Sequence, residues 1–281
     1  MVLEQGFQLL FGLWSGHFCC SGGTAIALDH YMQTERASLK IVAIIQARMG
    51  SSRLPGKVLM DIGGETVLGR VVKRARRSRL THATVVATTE LTGDDAIVKE
   101  CQRLGVSCFR GMEENVLDRY YQAALQHSAR LIVRLTADNP VVDPDLIDET
   151  VMTMLKSDAD YANNRSPRIY PQGLDAEVFT IAALERAHQE ARLPYDLEHV
   201  TPYFYGHPEL FRCVGVKRSF DFSHHRWTLD TPADLQVIRE MYERMGNRDN
   251  FSWAEALAVM ENAGQLAGMN SYMVPKALHS S

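Results

Sequence analysis

Short apolar runs that alternate with amphipathic segments constrain the fold of this chain more than any other feature. From Lys40 onward, apolar runs begin at Ile41, Thr84, Val106 and Leu131, and helical patterns fall between them. The first run is continuous rather than alternating, which is typical of a strand buried on both faces of a parallel sheet. Strands separated by helices predict right-handed crossovers and an α/β sandwich with a mostly parallel central sheet.

The first half of the chain gives regular predictions: strands over 41–47, 84–88, 106–110 and 131–135, and helices over 66–77, 94–104 and 116–127. The second half is less regular: strands over 176–179, 211–216 and 227–229, and helices over 181–191, 198–205 and 232–245. This irregularity predicts a smaller substrate lobe inserted into the sheet.

Composition and charge restrict the class of partner. A chain of 281 residues that is 46% hydrophobic and 23% charged is an ordinary globular protein. Its formal net charge of −4 argues against a surface built for nucleic acid. Its five cysteines are an odd set without a Cys-x-x-Cys pair, so neither a disulfide scaffold nor a zinc site is indicated. A reducing, cytoplasmic location is therefore expected.

Residues 1–38 differ from the rest and are predicted to be a poorly ordered extension. Their first charge is Glu4, and no Lys or Arg precedes Arg36, so they lack the basic start of a signal peptide and the positive flank of a membrane helix. No later segment is apolar over a length that spans a bilayer. One domain over 39–262 and a tail over 263–281 are expected to follow.

The loop after the first strand has the composition of a polyphosphate-binding loop. It combines two glycines and a proline with three cations, Arg48, Arg53 and Lys57. It is not a Walker A loop, because five residues rather than four separate the glycines and Val58 follows the lysine. Since strands of a parallel sheet present ligands at their carboxyl ends, this loop predicts phosphate binding there. A solvated basic turn is the alternative.

Two aspartates follow later strands in the same way. Asp138 comes just after the strand over 131–135, and Asp230 comes just after the strand over 227–229. Carboxylates at neighbouring strand ends could share one Mg²⁺ with the phosphates of a nucleotide. Asp138 could instead form a turn, and Asp230 or Thr231 could cap the following helix.

Five motifs in order carry a resemblance to a known family. They are AIIQARMGSSRLPGKVL, RLTADNPVVDP, QGLDAEVF, EHVTPYFY and WTLDTPADL. Together they resemble the cytidylyltransferases that activate acidic sugars, such as acylneuraminate and 3-deoxy-manno-octulosonate, and most of all the SpsF-like branch of spore-coat polysaccharide biosynthesis. The resemblance covers roughly residues 40–245.

The resemblance implies a Rossmann-like three-layer sandwich of the glycosyltransferase A type, with a nucleotidyltransferase activity. A sugar hydroxyl would attack the α-phosphate of CTP, and pyrophosphate would leave, for surface polysaccharide or glycan synthesis. The implied catalytic residues are Lys57, Arg53 and Asp138. The implied nucleotide ligands are Gln46, Arg48, Ser51, Arg53 and Lys57. The implied ligands of a Mg²⁺ cofactor are Asp138 and Asp230; because Asn139 breaks any Asp-x-Asp pattern, one metal or two stays open.

The expected sugar ligands are Gln172, Asp175, Glu177, Glu198 and His199. Asp175 and Glu177 share one face of a predicted strand, although a solvated edge strand would show the same pattern. Glu198 and His199 match a Glu-His pair of the family, with Tyr203 expected one helical turn away. A structural role for the histidine is the alternative.

Two other functions remain open at this stage. A glycosyltransferase of the same fold would use a nucleotide-sugar donor, but a leaving pyrophosphate needs the loop cations more than a diphosphate sugar does. A non-catalytic nucleotide-binding module would not need both Asp138 and Asp230. The expected partners are a nucleoside triphosphate, with CTP implied by the resemblance, and a sugar, without nucleic acid or membrane. A homodimer is an open alternative.

Overall fold

The computed structural model of the protein describes residues 39–263. The predictions for the extension over 1–38 and for nearly all of the tail over 263–281 lie outside the described residues. Within the described range, no helix is both long enough and apolar enough to cross a lipid bilayer.

A seven-stranded sheet organises the described residues, in the order β5-β4-β1-β6-β8-β7-β9. The strands β5, β4, β1 and β6 are parallel neighbours, whereas β8 pairs antiparallel with both β6 and β7. A separate two-stranded ribbon pairs β2 with β3. The strand bounds are β1 Ile41–Gln46, β2 Asp61–Ile62, β3 Glu65–Thr66, β4 Ala83–Thr89, β5 Ser107–Gly111, β6 Leu131–Thr136, β7 Tyr161–Asn163, β8 Glu177–Thr180 and β9 Cys213–Gly215.

Helices join the strands, as the alternation in the sequence predicts. Their bounds are α1 Val67–Ala75, α2 Asp95–Leu104, α3 Val116–Gln126, α4 Pro144–Ser157, α5 Ile181–Glu190, α6 Pro194–His199, α7 Pro202–Gly206, α8 Pro232–Arg244 and α9 Trp253–Asn262. Several begin with the local chemistry that favours a start: the Asp143 carboxylate accepts from Asp145 N and Leu146 N, and Thr231 forms a capping box with Asp234.

Two hydrophobic clusters make the layers of the fold. One packs α3 and α5–α7 with side chains of the sheet, including Ile44, Tyr120 and Phe179. The other joins α4, α8 and α9 with the β2–β3 ribbon through residues such as Trp227 and Met241. The prediction of an α/β sandwich with a mostly parallel sheet is confirmed.

The second half of the chain departs from two of its predicted elements. The helix expected over 198–205 is broken into α6 and α7, because Val200 adopts φ 67° and ψ −62° and Pro202 starts the next helix. Tyr203 therefore does not lie one turn beyond His199 in a single helix. Residues 227–229, expected to be a strand, are not one; the preceding residue, Arg226, forms an isolated parallel bridge with Gln172. Strands β7–β9 extend the main sheet itself.

Candidate active site

The loop between β1 and residue 57 is held closed by its own backbone. Gly56 N donates to Met49 O at 3.0 Å, which brings the two ends of the loop together. Gly56 has φ 70°, a conformation that costs glycine little but strains other residues. The loop cations are consequently displayed at the carboxyl end of β1, where the sequence predicts phosphate binding.

Asp94 fixes this loop to the sheet, although nothing in the sequence around it marks it as a site residue. Its Oδ1 accepts from Met49 N at 2.8 Å, and its Oδ2 accepts from the hydroxyls of Thr88 and Thr89 at 3.1 and 2.5 Å. Asp94 is only 3% exposed. Because this buried carboxylate accepts hydrogen bonds from both strand β4 and the loop, it fixes the position of the loop relative to the sheet.

Lys57 joins the two predicted aspartates. Its Nζ donates to Asp138 Oδ2 and to Asp230 Oδ1, each at 2.9 Å, and to Leu229 O at 2.6 Å. Leu229 N in turn donates to Asp138 O at 2.8 Å, which fastens the 229–230 segment beside the end of β6. Two carboxylates from distant parts of the chain thus meet at one ammonium group.

The other carboxylate oxygens also have protein partners. Thr136 Oγ1 donates to Asp138 Oδ1 at 2.5 Å, and Arg226 donates to Asp230 Oδ2 at 2.8 Å. Arg53 pairs with Asp230 Oδ1 at 3.0 Å. Arg226 and Thr136 were not expected from the sequence; both orient a predicted acid, and both lie close to it in the chain.

The charges of this cluster stabilise one another. Burial alone would lower the pKa of Lys57, but the Asp138 and Asp230 carboxylates outweigh it and raise that pKa above its ordinary value. Burial alone would raise the pKa of Asp230, but the Lys57 ammonium and the bonds from Lys57 and Arg226 lower it. Lys57 therefore stays cationic and Asp230 stays anionic near neutral pH.

The cluster borders a cavity of about 560 Å³ at the carboxyl edge of the sheet. Nine residues predicted from the sequence line it: Gln46, Arg48, Ser51, Arg53, Lys57, Asp138, Glu198, His199 and Asp230. Val116 and Arg119, at the start of α3, also line it and were missed, since nothing in the helical pattern there marks them as ligands. The phosphate loop, the acid pair and the Glu-His pair thus face one space.

The Glu198–His199 pair reaches the cavity at the end of α6. Thr201 N donates to His199 O at 2.8 Å across Val200, which closes a γ-turn with Val200 at positive φ. A β-branched residue in this conformation is strained, and the turn ends the helix just beyond the two cavity residues. Glu198 lies 3.7 Å from Arg48, which bridges it to the phosphate loop.

Three of the expected sugar ligands do not line this cavity. Glu177 is 1% exposed, and it binds Arg134, Tyr161 and, at 3.7 Å, Arg165. Asp175 forms a two-pronged pair with Arg168, at 2.6 and 3.0 Å. Their role in sugar binding stays a prediction that the cavity geometry does not support.

The QGLD motif instead supports the segment that carries Asp230. Gln172 N donates to His225 O at 2.9 Å, and Trp227 N donates to Gln172 O at 2.7 Å. Gly173 has φ 109°, and a Cβ there would lie 2.6 Å from the Trp227 carbonyl carbon. Only glycine allows this close approach, so the motif is explained by packing against the 225–230 segment.

Comparison with known proteins gives the family. A sequence profile described as cytidylyltransferase matches residues 42–263. This chain belongs to the cytidylyltransferase family. It is 35% identical over 235 residues to the spore coat polysaccharide biosynthesis protein SpsF of Bacillus subtilis, covering 78% of this chain and 93% of that protein. The resemblance drawn from the five motifs is confirmed, and the protein is a nucleotidyltransferase.

Solved structures agree with the fold of this cytidylyltransferase. A cytidylyltransferase from Leptospira borgpetersenii matches with a TM-score of 0.78 and 33% identity, over 82% of this chain and 97% of that one. A CMP-2-keto-3-deoxy-manno-octonic acid synthetase complexed with CTP matches with a TM-score of 0.57 and 20% identity, over 73% and 99%. The latter likeness shows the shared fold alone.

The acid pair fits a magnesium ion that arrives with a polyphosphate, rather than a metal caged by the protein. Among residues 39–263 there is no group of three or more His, Cys, Asp or Glu side chains placed to hold a metal. Mg²⁺ typically takes one or two carboxylates and completes its shell with phosphates and water. Asp138 and Asp230 meet that requirement, provided that Lys57 releases at least one of their oxygens.

Proposed function

We propose that this protein transfers the cytidylyl group of CTP to a sugar hydroxyl and releases pyrophosphate, making a nucleotide-sugar for polysaccharide synthesis. The convergence of the loop cations and the acid pair on one cavity carries the proposal. Family membership supports CTP as the nucleotide, and the likeness to SpsF supports the polysaccharide role. The free thiols of Cys101, Cys108 and Cys213 support a cytoplasmic location.

The loop cations serve the departing group. The sugar oxygen forms a bond to the α-phosphorus while the bond from that phosphorus to the bridging oxygen of the β-phosphate breaks. The electron pair leaves with pyrophosphate, and the hydroxyl proton passes to solvent. Arg53 and Lys57 stabilise the negative charge that grows on the leaving group, and Arg48 holds the phosphates in place.

Asp138 and Asp230 would hold Mg²⁺ in this reaction. When bound, the ion would neutralise charge on the transferring phosphoryl group. Lys57 is already beside both acids, so its ammonium would turn from the carboxylates to the phosphates when they enter. Lys57 lines the cavity, although its side chain is only 10% exposed.

The sugar would lie on the side of the cavity formed by Glu198 and His199. Both can bond hydroxyl groups, and the strained turn at Val200 holds them at the cavity wall. The carboxylate of Glu198 lies 3.7 Å from the guanidinium of Arg48, so this wall of the cavity carries both an anion and a cation. Because neither charge excludes a class of sugar, acidic and neutral sugars are both tested.

The deciding experiment incubates the purified protein and Mg²⁺ with each of four nucleoside triphosphates and a panel of acidic and neutral sugars. Pyrophosphate release is measured, and the nucleotide-sugar product is identified by mass spectrometry. We expect release only with CTP and one class of sugar. Turnover of a nucleotide-sugar donor without any pyrophosphate release would contradict the proposal and indicate glycosyl transfer.

A further inference from the structure

Two cysteines outside the cavity lie in the interface between helix α2 and strand β5. Phe109 packs with the cluster that contains α3, and successive side chains of a strand alternate between its faces. The neighbouring Cys108 therefore lies on the opposite face of β5. On α2, Cys101 is 1% exposed and shares the buried face with Ile97, four residues earlier. Since α2 packs against β5, both thiols belong to one interface.

A short turn brings these two cysteines together. Only Gly105 and Val106 separate α2 from β5. Gly105 ends the helix with φ 57°, and Val106 N donates to Cys101 O at 3.0 Å, which folds the strand back along the last turn of the helix. The thiol of Cys101 is hydrogen bonded to the sulfur of Cys108. Both are free thiols, and they have the proximity that a disulfide requires.

The two thiols differ in reactivity. Cys108 is half-buried, so a small oxidant can reach it, whereas Cys101 is buried. The hydrogen bond from Cys101 lowers the pKa of Cys108 against the effect of burial, and the charge of Arg110 lowers it further. The same hydrogen bond and burial raise the pKa of Cys101. Because the thiolate is the form that attacks an oxidant, Cys108 should react first.

We propose that Cys101 and Cys108 form a site of reversible oxidation, at which hydrogen peroxide converts the thiol pair to a disulfide. The Cys108 sulfur attacks a peroxide oxygen, so an S–O bond forms, the O–O bond breaks and water leaves. The Cys101 sulfur then attacks the Cys108 sulfur, so the S–S bond forms, the S–O bond breaks and hydroxide leaves with the Cys101 proton as a second water. Two thiols are oxidised and one peroxide is reduced, and a thiol reductant reverses the change.

Helix α2 connects this cysteine pair to the phosphate loop. Asp94 immediately precedes α2 and accepts from Met49 N of the loop at 2.8 Å. Asp95, the first residue of α2, pairs at 2.7 Å with Arg110, two residues beyond Cys108. A disulfide draws the two sulfur atoms together, so it pulls the last turn of α2 toward β5, and Asp94 moves with the other end of the helix. Oxidation should therefore weaken phosphate binding at the loop.

Peptide mapping of the full-length protein tests the disulfide. The protein is treated with increasing hydrogen peroxide, its remaining thiols are alkylated, and a tryptic digest is analysed by mass spectrometry. Trypsin cleaves after Arg103, so the two cysteines fall on separate peptides, 100–103 and 104–110, which only a disulfide keeps together. We expect the linked peptides at lower peroxide than oxidation of Cys213, whose pKa is raised by partial burial, and we expect dithiothreitol to separate them.

Calorimetry with inorganic tripolyphosphate tests the connection to the loop. Oxidation should weaken binding by about fivefold in the wild type, at the lower end of the coupling between distant sites. The same loss is expected in Cys213→Ser, the matched control, and no loss in Cys108→Ser.

Three results would contradict these expectations. Oxidation of Cys108 to a sulfinic or sulfonic acid without linked peptides, or oxidation of Cys213 at lower peroxide, would overturn the disulfide site. Equal tripolyphosphate affinity of the reduced and oxidised proteins would overturn its connection to the loop. A reduced protein that does not bind tripolyphosphate would contradict the proposed function instead, and the peptide map tests the disulfide independently of it.

Discussion

Two ionic clusters among the described residues both pair basic with acidic side chains, and they differ in what they face. In the cavity cluster, Lys57 and Arg53 pair with acids that border open space. In the sealed cluster, Arg134 and Arg165 pair with Glu177, which is 1% exposed. The cavity cluster can exchange its partners for those of a ligand, whereas the sealed cluster has no ligand to exchange with. The proposed function therefore assigns the chemistry to the cavity cluster and a packing role to the sealed cluster.

The largest expected effect concerns activity in the cavity cluster. Asp138→Asn and Asp230→Asn should each reduce turnover by roughly a thousandfold, because each removes a carboxylate that would hold the metal against the transferring phosphate. Steady-state pyrophosphate release measures the loss, and circular dichroism confirms that the variants fold. If either variant keeps wild-type turnover, the aspartate replaced in it is not part of the active site.

The sealed cluster should show the opposite response. Glu177→Gln leaves the buried Arg134 and the half-buried Arg165 without their counter-ion. The free energy of unfolding should therefore fall by about 3–5 kcal/mol, while the folded protein keeps its turnover. Urea denaturation measures the loss. The double variant Arg134→Gln/Glu177→Gln should be less destabilised than the two single variants added together, because neither charge of the buried Arg134–Glu177 pair is then left without the other.

The Glu177→Gln variant also tests the prediction from the sequence that Glu177 binds the sugar. A folded variant with wild-type stability and a raised KM for the sugar would restore Glu177 as a sugar ligand. The comparison between the clusters would then fail, since both would take part in binding.

The difference between the clusters also shows which parts of the fold and of the candidate site could be predicted from the sequence. The parallel sheet follows from the β-α alternation, and the positions of Lys57, Asp138 and Asp230 follow from the rule that such sheets present ligands at their carboxyl ends. Period-two spacing could not tell whether Glu177 faces a cavity or Arg134, because that depends on residues far away in the chain. For the same reason, Asp94 and Arg119 were missed: each acts through contacts that only the folded chain creates.

A smaller effect should appear at Lys57 itself. Lys57→Met frees Oδ2 of Asp138 and removes one of the two cations that pair with Oδ1 of Asp230. Binding of Mn²⁺ without nucleotide, measured by electron paramagnetic resonance, should therefore tighten by about 10-fold, which corresponds to about 1.4 kcal/mol. CTP binding should weaken in the same variant, because the phosphates lose a cation. Unchanged Mn²⁺ affinity would mean that the ammonium does not compete with a metal for the acid pair.

The smallest expected effect is the pH dependence of stability at Asp230. Its pKa is lowered below the ordinary 3.8 in the folded protein, so the ionised group stabilises the fold fully above that value and loses this contribution as pH falls through the folded pKa. The difference in unfolding free energy between the wild type and Asp230→Asn should therefore be constant near pH 6 and shrink below about pH 4. The pKa of Glu177 is also lowered, since Arg134 and Arg165 outweigh its burial, but Glu177 titrates equally in both proteins and cancels in the difference. A difference that stays constant down to pH 2 would show that Lys57, Arg53 and Arg226 do not stabilise the Asp230 anion, and the ion pairing ascribed to the cavity cluster would be wrong.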